Sequence, residues 1–302
     1  AVLYRAHYHS MEVQMEFVRR DIPFDVRSGI RFFEQAHIKD VTSYMRIIMN
    51  PHDELAWRRI LIMYPKVGKV TVEKLWKFLA KEENPLEALF LDELLKITPK
   101  QAKPGIEDCR NTIGTILELP PPERIPEKII DVLLNKGGYR VYLQDNYSDG
   151  SSREDDLIQL GNFAAKFSRL EDFLNELALL TNMNSEEEQE EHQKDDKVVL
   201  STIHQAKGLE WSYVFLIWCA DGMIPLQRAL KEPDGEEEER RLFYVAVTRA
   251  KDQLYLSSPV IDYTRSSGAL TLSPSRFIRE IAPLSSQDET RPFEHWTLYD
   301  EY

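Results

Sequence analysis

The sequence predicts an α/β protein, with a parallel-sheet domain split in sequence and an all-helical domain inserted between its halves. Three observations carry this reading. The chain opens on a strand signal, a helix signal and a second strand signal; helical periodicity then runs for well over one hundred residues with no strand signal; and strand signals return directly after residue 197. Strands alternating with helices make parallel sheets, and a helical block between two such regions is most economically an insertion.

Residues 1–5 read as a short strand, and the helix starting near Ser10 places Met11, Met15 and Val18 on one face. Residues 24–27 form a second strand signal, which leads through Gly29 and the pair Phe32, Phe33 into a helix carrying Ile38, Val41, Tyr44, Met45 and Ile48. Asn50 and Pro51 end that helix, because a residue before proline avoids the helical region. Further helices are expected over residues 55–63, over 71–80 with Thr71 as N-cap candidate, and over 85–95 with Pro85 in the first turn. Residues 98–182 continue in helical periodicity, broken by Pro120, Pro121 and Pro122 and by a loop at 145–152.

Residues 185–196 hold seven acidic side chains in twelve and no hydrophobic one, so a solvated, mobile linker is expected there. Beyond it, residues 198–203 and 213–219 read as strands. The second is an almost continuous apolar run, as expected of a parallel strand covered on both faces. A helix at 236–247 and a strand at 253–257 follow. The expected division is therefore 1–97 for the first part of the sheet domain, 98–184 for the helical insertion, 185–196 for the linker, 197–285 for the second part and 286–302 for a C-terminal tail.

A length of 302 residues fits two domains. No apolar run approaches the roughly 18 residues of a membrane span, and the longest, residues 214–220, has the size of a buried strand. The opening ten residues lack the basic start and apolar core of a signal peptide, so the expected location is the cytoplasm, and an alanine opening a strand implies preceding native sequence. Cys109 and Cys219 lie too far apart for a zinc-site spacing and read as packing residues; His7, His9 and His37 have no metal-like companions nearby. The net charge of −13 argues against a basic groove that binds nucleic acid by displacing counterions. The acidity is uneven, however: residues 1–97 are almost balanced, and most of the excess falls after them.

Two segments carry chemistry. The run Ser201, Thr202, Ile203, His204, Gln205, Ala206, Lys207, Gly208, Leu209, Glu210, Trp211 sets hydroxyl, imidazole, ammonium and carboxylate groups between two apolar strands, at a sheet edge where α/β proteins bind ligands. Taken alone, it could be a connector turned by Gly208. The second segment runs from Glu236 through Arg240, Arg241, Leu242, Phe243, Tyr244 and Thr248 to Arg249, Ala250 and Lys251. Acids at a helix start and a cation at its end suit the macrodipole, so an ordinary amphipathic helix accounts for the charges but not for the pairing of the two segments.

In this order, each followed by a strand, the two segments resemble motifs V and VI of the superfamily 1 DNA helicases of the UvrD/Rep/PcrA type. Val2, Leu3, Tyr4, Arg5, then Phe32, Phe33 and Ile38, Lys39, Asp40, look like that family's motif IV and the helix after it. Pro274, Ser275, Arg276, Phe277 resemble the segment closing the same domain. Three features depart from the family pattern: Ser28 and Gly29 stand where two glycines are usual, Val67, Gly68, Lys69 replace a Gly-Ile-Gly turn, and the insertion is short.

The resemblance implies a RecA-like domain from a 3′-to-5′ ATP-dependent DNA helicase. Arg5 and Arg249 would then stabilise charge on the transferring phosphoryl group, Tyr4 would stack on adenine, Glu210 would accept from the ribose and Lys207 would assist at phosphate. Thr202 and His204 would touch single-stranded DNA. The implied cofactors are ATP and Mg²⁺, held mainly by an N-terminal RecA-like domain of the same protein, and the implied partners are single-stranded and duplex DNA. The 302 residues contain no Walker loop: Gly68 and Lys69 lack the spacing, and Leu89, Phe90, Leu91, Asp92, Glu93 imitate a Walker B strand within helical periodicity. The chain alone is therefore expected to be inactive as an ATPase. A recombination helicase–nuclease subunit and a non-catalytic interaction module are the alternatives, and keeping Arg5, Glu210 and Arg249 together counts against the second.

Overall fold

The structure is a computed structural model, and it describes residues 1–27, 31–182, 197–264 and 268–281. These residues form two compact units: one from the described parts of Ala1–Val13, Ile22–Gly29 and Asp196–Tyr302, the other from those of Gln14–Asp21 and Ile30–Asp195. The stretches at 185–196 and 286–302, expected as linker and tail, and the pair Ser28, Gly29, lie outside the described residues.

The first unit is built on a five-stranded sheet. Its strands are β1 (Val2–Tyr4), β2 (Phe24–Val26), β3 (Val198–Thr202), β4 (Trp211–Leu216) and β5 (Ala250–Leu256), in the order β2-β3-β1-β4-β5. Every neighbouring pair is parallel. Strands separated by almost two hundred residues, such as Leu3 opposite Ser201, thus pair directly, as a domain split in sequence requires. Leu3, Val214 and Leu216 point to one face, where they share a core with Leu242, Phe243 and Ala246 of helix α12 (Gly235–Val247) and with Phe277 of helix α13 (Arg276–Ile281). A hairpin of β6 (Ile261–Thr264) and β7 (Gly268–Thr271) follows β5; the sequence reading did not anticipate it.

On its other face β4 departs from expectation. Tyr213 is 54% exposed and Phe215 43%, so the strand is covered on one face and not on both. An apolar run records which side chains are apolar and not how many layers cover them. Phe215 instead stacks on its cross-strand neighbour Tyr255, with ring centroids 4.4 Å apart.

Helix α1 (Met11–Arg19) carries the chain from the residues of the first unit into those of the second, and the second unit is helical. It contains α2 (Ala36–Met49), α3 (Glu54–Ile62), α4 (Lys69–Leu79), α5 (Pro85–Ala88), α6 (Asp92–Ile97), α7 (Lys103–Glu118), α8 (Pro126–Asn135), α9 (Tyr139–Asn146), α10 (Gly150–Ala164) and α11 (Leu170–Asn182). The helices before residue 97 belong here and not with the sheet. α2 packs on α3, α8, α10 and α11, and it buries Ile38, Val41, Tyr44 and Met45. Helical periodicity shows that a helix has a buried face and gives no sign of which partner buries it, so the division at residue 97 had no marker.

Helix ends also moved. α4 starts at Lys69 behind Gly68 and not at Thr71. The expected helix at 85–95 is two short helices, because the Arg110 guanidinium takes the carbonyls of Leu89 (2.7 Å) and Leu91 (2.5 Å) in the turn between them. Leu89, Phe90 and Leu91 are not a strand. Two buried polar groups of this unit are paired: Asp40 accepts from Arg59 at 2.6 Å and from the Tyr139 hydroxyl at 2.7 Å, and His37 lies 3.2 Å from Asp156.

Candidate functional site

A parallel sheet delivers all its carboxyl-end loops to one edge. Here these are residues 5–10 after β1, 203–210 after β3 and 217–227 after β4. Backbone hydrogen bonds fix them side by side, from Ile203 N–H to the Tyr4 carbonyl (2.9 Å) and from Ile217 N–H to the Leu3 carbonyl (3.1 Å).

The 203–210 loop folds as a compact turn. Ile203 and Ala206 are fully buried and anchor it, and Gly208 supplies a φ of 86° that a side chain would oppose. The Thr202 carbonyl accepts from Gln205 and Ala206, and the Thr202 hydroxyl accepts from the Gln205 N–H at 3.3 Å. Thr202, expected against DNA, is 7% exposed and spends its hydroxyl capping this turn. His204, Lys207 and Glu210 are exposed. Partial burial, then the positive charge of Arg5, lowers the His204 pKa, with Glu239 and Glu238 opposing. The neutral imidazole is therefore favoured. Glu210 forms a loose pair with Lys251, at 3.8 Å.

Arg249 sits two residues beyond α12, where it binds the turn. Nη1 donates to the Leu209 carbonyl (2.9 Å), Nε to the Val245 carbonyl (2.9 Å) and Nη2 to the Thr248 hydroxyl (3.0 Å), while its own carbonyl accepts from Trp211 N–H (3.0 Å). These donations use three of the five N–H groups of a guanidinium, so the side chain is oriented without being saturated.

Tyr4 and Arg5 are both engaged within the sheet unit. Tyr4 lies on a central strand and is 1% exposed, with its hydroxyl near Ser10 and its pKa pushed up to about 12 by burial. Arg5 donates through Nε (2.9 and 3.1 Å) and Nη2 (2.6 Å) to the carboxylate of Glu239, which is 2% exposed and also accepts from Leu226 N–H at 3.1 Å. The pair engages Nε and Nη2 and orients the guanidinium, leaving Nη1 unused by Glu239. Glu239 itself escaped the sequence reading, although a signal existed: it shares the buried stripe of α12 with Leu242, Phe243 and Ala246, where an acid needs a partner.

Between the 203–210 turn and α12 runs a shallow groove of about 380 Å³, lined among others by His204, Lys207, Glu238, Arg241, Leu242 and Tyr244. It presents two cations and an aromatic ring that is 67% exposed. Among the described residues no group of three or more His, Cys, Asp or Glu side chains is placed to hold a metal ion.

The chain matches the family model of the UvrD-like helicase C-terminal domain over residues 1–100 and 139–260. The gap between these segments falls on α7 and α8. Similar curated proteins include the ATP-dependent DNA helicase PcrA of Bacillus subtilis (strain 168), 29% identical over 308 aligned residues, covering 96% of this chain and 41% of that protein. The probable DNA helicase II homolog of Rickettsia felis is 32% identical over 93% of this chain and 43% of its own length. The ATP-dependent DNA helicase Rep of Buchnera aphidicola subsp. Schizaphis graminum is 31% identical over 93% and 44%. The chain thus spans less than half the length of these relatives. With a RecA-like parallel sheet interrupted by a helical unit, and a family match over most of its residues, the chain belongs to the UvrD-like helicase C-terminal domain family.

Proposed function

We propose that this chain is the C-terminal part of an ATP-dependent 3′-to-5′ DNA helicase and that it couples a nucleotide to a single DNA strand through Arg249. The observation carrying this reading is that the Arg249 guanidinium is tied to the turn bearing His204 and Lys207, through Leu209. The N–H groups of Arg249 not used within the chain face developing charge on the γ-phosphate, Lys207 assists at phosphate and Glu210 accepts from the ribose. ATP supplies the phosphoryl group whose charge these residues answer; the phosphate-binding loop and the Mg²⁺ ligands belong to an N-terminal RecA-like domain of the intact protein. Any shift of Arg249 as the two domains close moves the Leu209 carbonyl, and the turn carries His204 with it. His204, neutral and exposed, holds the strand backbone by a hydrogen bond and not by charge, which suits a protein that must release each nucleotide in turn. Arg5 keeps Glu239 in place, and Tyr4 is part of the core.

The test uses tailed duplexes. The intact protein with ATP is expected to unwind a duplex bearing a 3′ single-stranded tail and not one bearing a 5′ tail, while the 302-residue chain alone releases no phosphate above background. Unwinding from the 5′ tail, or turnover by the chain alone, contradicts the proposal.

A further inference from the structure

Trp218, the second residue beyond β4, lies at the carboxyl edge of the sheet that carries His204, in a conformation a bulky residue avoids. Its φ is 59°, in the left-handed region where glycine or asparagine is usual. The ring is fixed there from two sides: the indole Nε1–H donates to the His9 carbonyl at 3.0 Å, and the indole stacks on the His9 imidazole with centroids 5.6 Å apart and planes 18° from parallel. Tyr8 meets the same imidazole edge-on at 4.4 Å. His9 is 1% exposed, and its Nδ1 accepts from Ala6 N–H at 3.4 Å, which puts the ring hydrogen on Nε2. Among the described residues that buried Nε2 has no hydrogen-bond partner. Trp218 itself is half-buried.

A strained backbone, a locked aromatic stack and an unsatisfied buried donor thus coincide at one place on the carboxyl edge of the sheet, and neither the strain nor the unsatisfied donor helps the fold. Strain of this kind marks sites kept for function. We propose that Trp218 is a stacking platform for a base of single-stranded nucleic acid, braced from behind by His9 and Tyr8. This inference rests on the helicase reading. The strand order sets the location: β1 lies between β3 and β4, so the His204 turn and Trp218 are two strand spacings apart, about 10 Å. A strand held at its backbone by His204 reaches the indole with a neighbouring base. Charge favours the same assignment. A chain of net charge −13 gains little from counterion release, whereas stacking needs no positive surface and accepts any base. The adenine of a nucleotide would use the same chemistry, so the test separates the two.

The experiment compares a fluorescent oligothymidylate with an abasic oligonucleotide of equal length, binding to the intact protein. Trp218→Ala is expected to weaken the oligothymidylate about tenfold, roughly 1.4 kcal/mol, and to leave abasic binding unchanged, while Trp218→Phe keeps most of the affinity. Equal weakening of both oligonucleotides indicates a structural role and overturns the inference. Unchanged oligonucleotide binding with a raised KM for ATP assigns the indole to adenine and also overturns it. Should Trp218→Ala fail to fold, intrinsic fluorescence decides: oligothymidylate quenches the wild type more than Trp218→Phe, and equal quenching refutes stacking. Wild-type protein that binds neither oligonucleotide refutes the helicase reading itself.

Discussion

Arg249 donates a hydrogen bond from Nη1 to the backbone carbonyl of Leu209 across 40 residues of sequence, at 2.9 Å. One side chain thereby ties the end of α12 to the turn between β3 and β4. His204 and Lys207 are carried on that turn, so the proposed nucleotide-facing residue and the proposed strand-facing residue belong to one rigid connection.

If the turn transmits the state of the nucleotide, His204→Ala is expected to weaken single-strand binding by only a few fold and to remove most of the stimulation of ATP hydrolysis by DNA. Anisotropy of a labelled oligonucleotide, measured beside phosphate release in the intact protein, checks this. Unchanged affinity together with unchanged stimulation takes His204 out of the strand path.

Arg5 and Glu239 give a prediction of a different kind. Their ion pair is largely withdrawn from solvent, with side chains 16% and 2% exposed, and removing one member leaves the other buried and unpaired. Arg5→Ala is expected to lower the stability of the sheet unit by about 3–5 kcal/mol, whereas Arg5→Ala combined with Glu239→Gln should recover part of that loss. Chemical denaturation reads both. A stable Arg5→Ala protein with a thousandfold loss of hydrolysis would instead make Arg5 a phosphate ligand.

Acid should destabilise the sheet unit through His9. Burial, then the nearby Arg5 charge, lowers its pKa from 6.5 to about 3 in the fold. Below pH 6.5 the unfolded chain takes up a proton that the folded chain refuses, so this contribution is complete above pH 6.5 and is lost as the pH falls towards 3. The slope approaches about 1.4 kcal/mol per pH unit. His204, shifted in the same direction, adds to it. Denaturation midpoints between pH 7 and pH 5 should fall less steeply in His9→Gln than in the wild type; equal slopes would show that His9 is protonated in the fold.

The sequence made the two chemical segments legible because their meaning is local. The turn needs Gly208, the buried pair Ile203 and Ala206 lies three residues apart, and α12 shows its apolar stripe and its acidic start directly. Facing and partnership were less visible. A three-residue strand such as β1 has too little alternation to say that Tyr4 points into the core, and nothing near Arg5 announces a carboxylate 234 positions away. The same limit hid the partners of α2, which lie far along the chain, and the open face of β4, which depends on what covers it. The left-handed Trp218 was invisible for the opposite reason, since a tryptophan gives no hint of a glycine-like conformation.

Arg249 is proposed to answer the charge of the transferring phosphoryl group while holding the turn that carries His204. Steady-state ATP hydrolysis by the intact protein, with saturating single-stranded DNA, tests it most directly when wild type and Arg249→Ala are compared alongside nucleotide affinity. The expected result is a loss on the order of a thousandfold in kcat with nucleotide affinity largely preserved. Hydrolysis near the wild-type rate in Arg249→Ala, with the protein folded and nucleotide bound, would contradict it.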